Sequence, residues 1–110
     1  MQPLDLSNLH LPPQYLSILK ILLKKHVPEA TVWAYGSRVT GGCHEGSDLD
    51  LVLRHPSDLT RTVEGFENLQ IALQESCIPV LIEVHLWSNW PQSFYQNIEA
   101  AYVVLQEREV

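Results

Sequence analysis

The sequence predicts an α+β fold: a small mixed β-sheet of the α/β type, with helices packed mainly on one face. Three observations carry this expectation. Runs at 31–35, 48–54 and 80–87 read as strands from their β-branched and aromatic content or their period-two alternation. Stretches with apolar residues at helical spacing cover about 12–26 and 59–75. The chain has 110 residues, 45% of them hydrophobic, which suits a single domain spanning 1–110 with a real core.

Residues 1–11 read as a loosely ordered lead-in. Pro12 and Pro13 offer a helix start, because proline fits the first turn. Tyr15, Ile18, Leu19, Leu22 and Leu23 then share a stripe, with Ser17, Lys20 and Lys24 opposite, and the helix should end near His26, before Pro28. Thr31 to Tyr35 forms the first strand and runs into Gly36-Ser37. The segment 38–46 holds Gly41, Gly42 and Gly46 and must turn the chain back. The second strand, Asp48 to Arg54, alternates, with Leu49, Leu51 and Leu53 toward the core and Asp48 and Asp50 on the other face. The short link makes an antiparallel pair with the first strand the natural arrangement.

His55-Pro56-Ser57-Asp58 breaks the chain, and a helix follows with Val63, Phe66, Leu69 and Leu73 on one stripe. The third strand, Val80 to Trp87, turns Ile82, Val84 and Leu86 to the core and Leu81, Glu83, His85 and Trp87 to the opposite face. Pro91 opens a last helix through about Ala101, and Tyr102 to Leu105 closes as an extended piece. Trp87, Trp90 and Tyr95 cluster in sequence near that helix and suggest an apolar patch for a partner or for self-association.

The formal net charge is −6, from 13 acidic and 7 basic residues. A nucleic-acid binder usually shows a basic stripe, so extended DNA or RNA binding is not expected. Two cysteines far apart, Cys43 and Cys77, make no disulfide framework and read as reduced thiols. No stretch approaches the roughly 20 apolar residues of a bilayer span. The N-terminus lacks the basic and apolar regions of a signal peptide. The expectation is a soluble cytoplasmic protein with no membrane partner.

The chemistry concentrates in Gly36-Ser37-Arg38-Val39-Thr40-Gly41 and Ser47-Asp48-Leu49-Asp50. Asp48 and Asp50 share a strand face, and two adjacent carboxylates repel unless a cation lies between them. A small turn beside them suits phosphate held next to a metal ion. Gly41 to Gly46 has P-loop glycine spacing, but Ser47 and Asp48 stand where that motif needs lysine, so it is rejected. Glu83 is the one carboxylate in the third strand, and a charge within an apolar strand calls for a partner. His85 shares its face and could approach the site, although a structural histidine is the simpler reading. Cys43, His44, Cys77 and His85 match no zinc spacing. Trp33, Tyr35 and Trp87 read as core or interface aromatics.

These segments resemble the signature of the polymerase-β-like nucleotidyltransferases. With the small size, the Val32-Trp33-Ala34-Tyr35 strand and the Ile78-Pro79…Glu83…Trp87 stretch, the chain is similar to the minimal nucleotidyltransferase antitoxins, the MNT or MntA type, usually paired with a HEPN-domain toxin. The resemblance spans about residues 13–106 and implies the nucleotidyltransferase fold. It also implies a magnesium-dependent enzyme that transfers AMP from ATP to a tyrosine of the HEPN partner. Asp48, Asp50 and Glu83 would be the catalytic carboxylates and would hold two magnesium ions. Gly36, Ser37, Arg38 and Ser47 would line the nucleotide. Members commonly carry aspartate where Glu83 stands, and glutamate is one methylene longer. Two alternatives follow: a weak or inactive module that neutralises a HEPN partner by binding it, in a homo- or hetero-oligomer, or a transferase with a small-molecule acceptor.

Overall fold

The computed structural model describes residues 4, 6–40, 48–54, 65–87, 96 and 98–107. Helix α1 spans Pro13–His26, strand β1 Thr31–Tyr35, helix α2 Ser37–Thr40 and strand β2 Leu49–Arg54. Helix α3 spans Phe66–Glu75, strand β3 Ile82–Leu86 and strand β4 Val103–Gln106. The four strands form one sheet in the order β3-β2-β1-β4. β1 runs antiparallel to β2 and to β4, while β2 and β3 are parallel, so the sheet is mixed.

α1 starts where the prolines dictate, with Pro13 in the first turn and Lys24, Lys25 and His26 in the last, where cations suit the helix C-terminus. Its stripe buries Leu19 and Leu23. α3 buries Leu69 and Leu73. Both helices press on the sheet face formed by Val32, Ala34, Leu49, Leu51, Leu53, Val84, Leu86, Val103 and Leu105. Each buried leucine there contributes about 1.5–3 kcal/mol relative to exposure. Gln106 clamps the turn between α1 and β1, its Nε2 donating to the carbonyls of Val27 at 2.7 Å and Ala30 at 3.0 Å.

Several expectations need correction. The described part of the lead-in is packed, not loose. Leu6–Asn8 form a 3-10 turn, Leu9 and Leu11 enter the core, and the Leu4 N–H donates to the Tyr102 carbonyl at 2.8 Å. Alternating leucines without a regular period gave no element signal, yet burial still captured them. The turn after Gly36 begins with α2 rather than an irregular loop. β2 and β3 are each shorter than expected, starting at Leu49 and ending at Leu86. α3 starts at Phe66, where Gly65 adopts φ +91° against the His26 carbonyl. The expected break at 55–58, the start of its helix at 59–64, and Trp90, Pro91 and Tyr95 lie outside the described residues.

The opposite sheet face is only half open. Trp33, Val52, Trp87, Ile98 and Tyr102 form a second core there. Trp33 stacks on Tyr102 with centroids 3.9 Å apart, and meets Trp87 edge-on at 5.5 Å. Trp87 is 3% exposed, so it forms part of this core instead of the expected surface patch. Among the described residues, no helix is long and apolar enough to cross a membrane.

Candidate functional site

Strand register assembles the site. Antiparallel pairing sets Tyr35 opposite Asp50, and parallel pairing sets Asp50 opposite Glu83. Alternation turns all three side chains to the half-open face, away from Leu49 and Leu51, which are fully buried. His85 follows Glu83 by one alternation and pairs with Val52. One ligating atom each from Asp50, Glu83 and His85 lies within 4.8 Å of the others. His85 Nε2 is 3.9 Å from Glu83 Oε2.

The cluster is electrostatically crowded. Burial pushes the Asp50 carboxyl above its ordinary value, the Glu83 and Asp48 charges push it further, and His85 opposes them. The close approach of the Glu83 side chain adds to the upward push on Asp50. Burial likewise raises the Tyr35 phenol, reinforced by Asp50 and Glu83, so it stays protonated. A divalent cation would relieve this crowding, and two carboxylates beside an imidazole are a fitting donor set for one.

Gly36 bounds the site on the β1 side. Its φ is +84°, and a Cβ there would lie 2.6 Å from Asp50 Oδ2. Only glycine lets the backbone pass so close to that carboxylate. The Val39 N–H donates to the Gly36 carbonyl at 3.0 Å and closes the first turn of α2.

The structure thus gathers Gly36, Asp50 and Glu83, and the longer glutamate side chain reaches the site. Asp48 lies just ahead of β2, exposed, near enough to act on Asp50 but outside the ligand-sized cluster. Ser37 begins α2 beside Gly36, and Ser47 lies outside the described residues. Arg38, expected at the nucleotide, also serves the fold. It is 5% exposed, and its Nη1 donates to the His10 carbonyl at 2.7 Å while the His10 N–H returns a bond to the Arg38 carbonyl. A buried guanidinium needs acceptors, and the packed N-terminal segment provides one. Tyr35 is the site residue that sequence reasoning placed elsewhere, and His85 the one for which it preferred a structural role. The signal for His85 was its spacing of two from Glu83.

A separate pocket of about 320 Å³ lies between α3 and the approach to β3, lined by Leu73, Ile78, Leu81 and Ile82 among others. Among the described residues that line it, none is titratable.

Comparison with known proteins finds relatives in sequence and in fold. A family model described as "Nucleotidyltransferase domain" matches residues 16–107. The chain is 35% identical over 103 residues to a Haemophilus influenzae protein named "Probable protein adenylyltransferase MntA", covering 94% of this chain and 89% of the relative. Its fold resembles a solved structure described as "Crystal structure of the toxin-antitoxin with AMP-PNP", with a TM-score of 0.66 and 18% identity over 89% of this chain and 76% of that one.

Proposed function

This chain belongs to the nucleotidyltransferase domain family and is a nucleotidyltransferase, and from that premise we propose that it is a protein adenylyltransferase that transfers AMP from ATP to a tyrosine of a HEPN-family toxin. It would act as the antitoxin of that pair, in the cytoplasm, with magnesium. The observation that carries the reading is the Asp50–Glu83 pair, set side by side by strand register and flanked by the tight Gly36 approach. The relative's name supports protein as the acceptor.

Asp48, Asp50 and Glu83 would hold the magnesium ions, and Gly36, Ser37 and Ser47 would line the triphosphate. Bound magnesium supplies charge neutralisation at the entering and leaving oxygens. The chain's own residues orient and accept protons. Glu83, the third carboxylate and open to solvent, would take the proton of the incoming hydroxyl. The acceptor oxygen bonds to the α-phosphorus as the bond to the bridging oxygen breaks and pyrophosphate leaves. Arg38 would join Gly36, Ser37 and Ser47 at the nucleotide through donors other than the Nη1 that binds the His10 carbonyl.

The test is to incubate the purified chain with a HEPN partner, ATP and magnesium, and to weigh the partner. A mass gain of one AMP per modified tyrosine, lost with Asp50→Asn, is expected. An unmodified partner in the presence of folded protein defeats the proposal. If Asp50→Asn still protects cells from the toxin, neutralisation is by binding alone.

A further inference from the structure

We propose that His85 is a nitrogen ligand in an ion position formed with Asp50 and Glu83, and that this position takes a transition ion of the Zn²⁺ or Co²⁺ class in preference to Mg²⁺. The proposal rests on reading the Asp50–Glu83 pair as a divalent-ion site and adds an ion type and a ligand to it. The same carboxylates would serve the Mg²⁺ that accompanies the triphosphate, and the preference for a transition ion describes the chain without nucleotide.

Geometry is the first support. The parallel register places Asp50 beside Glu83, and strand alternation places His85 on their face. Their ligating atoms lie within 4.8 Å of one another. Adjacent ligands of one ion, each bonded at about 2.1 Å, sit about 3.0–3.4 Å apart in octahedral or tetrahedral geometry. The 3.9 Å between His85 Nε2 and Glu83 Oε2 exceeds hydrogen-bond length and is about 0.5 Å wider than that span, so the two side chains would close slightly on an ion. Glu83 and His85 keep side-chain exposures of 47% and 40%, while Asp50 is half-buried. An ion there has a walled side and an open side, the layout of three protein ligands with a position left for water or substrate.

Donor chemistry is the second support. Mg²⁺ favours an all-oxygen octahedron and keeps its waters. An imidazole nitrogen shifts a site toward zinc and its neighbours, which also lead the affinity series. A third carboxylate in place of His85 would have left the position hard and magnesium-like.

The test uses the intact chain stripped with chelator, and titrates it with Mg²⁺, Co²⁺ and Zn²⁺ by calorimetry. Visible absorption of bound Co²⁺ reports the ligand field. Wild type should bind Co²⁺ and Zn²⁺ at least about tenfold more tightly than Mg²⁺. His85→Gln should lose about 10–100-fold for Co²⁺ and Zn²⁺, with a changed Co²⁺ spectrum and Mg²⁺ affinity within about twofold. Glu83→Gln should weaken all three ions. Thermal unfolding of each variant checks that it is folded. Unchanged Co²⁺ binding in His85→Gln overturns the proposal and leaves the carboxylate reading intact. A Co²⁺ signal that survives both substitutions arises elsewhere and also overturns it. Failure of every ion to bind wild type overturns the carboxylate reading and this proposal together.

Discussion

Two neighbouring rows of side chains on one sheet face meet burial in opposite ways. Tyr35, Asp50 and Glu83 form one row, and Trp33, Val52 and His85 the next, about 7 Å along the strands. In the second row Trp33 and Val52 join Trp87, Ile98 and Tyr102 in a closed aromatic core. At its margin the Arg54 guanidinium lies 4.0 Å from the Trp33 ring centroid and 4.5 Å from that of Trp87, although burial disfavours its charge and its Nε has no hydrogen-bond partner among the described residues. In the first row two carboxylates crowd each other, and burial lifts Asp50 out of its ordinary range. One row is optimised for stability, whereas the other carries an electrostatic cost that a bound cation would offset. Such a mismatch on an otherwise well-packed sheet marks a functional site.

The largest expected effect tests the stable row. Trp33→Ala removes the ring that meets both Trp87 and Tyr102, and should cost about 3–5 kcal/mol in denaturant unfolding. A cost under about 1 kcal/mol would mean that this row is not a core.

Next comes the charged row. Asp50→Asn should lower AMP transfer by about 10²–10³-fold, the scale of losing one preorganised electrostatic contact. The same change should raise the thermal midpoint at pH 7 in chelator. Folding lifts the Asp50 carboxyl, so the native state holds more protons than the unfolded chain. That carboxyl's contribution is therefore fully present below its unfolded value and is lost as pH rises through the folded one. The advantage of Asn should shrink as pH falls through this window. A variant less stable than wild type at pH 7 would contradict the crowding argument.

Gly36→Ala probes the boundary of the charged row. The added Cβ meets Asp50 Oδ2, and the left-handed φ costs about 1–2 kcal/mol for any L side chain. A displacement of the carboxylate by about 1 Å should reduce transfer about 100-fold. Comparing kcat with thermal unfolding separates the two effects, and wild-type kcat would show that the close approach is not needed.

The smallest effect is at Arg54. Lysine keeps the charge but cannot present a flat guanidinium to two indoles, so Arg54→Lys should cost about 1 kcal/mol, read from chemical denaturation. No change would show that the stacking is incidental.

Much of this contrast was legible in the residues. Alternation placed Leu49, Leu51 and Leu53 inward and Asp50 outward, and the same rule paired Glu83 with His85 on one face. It could not distinguish the two halves of that face. Trp87 stands two residues from His85, yet one is sealed in a core and the other lines the site. Arg38 shows the same limit of local pattern. Its position near Gly36 suggested phosphate, and nothing local signalled that its guanidinium also binds the His10 carbonyl.

By itself, the amino-acid sequence determined the two long helices, the four strands, the leucine face of the sheet and the family-bearing Gly36-to-Asp50 segment. These depend on local periods, on proline and glycine stereochemistry and on short spacing. Tertiary structure alone decided the strand order, the pairing of Asp50 with Glu83, the entry of His85 and the closure of Trp33 over Tyr102. Those contacts join residues tens of positions apart, and their register follows from how the whole sheet buries its leucine face, which no local pattern encodes.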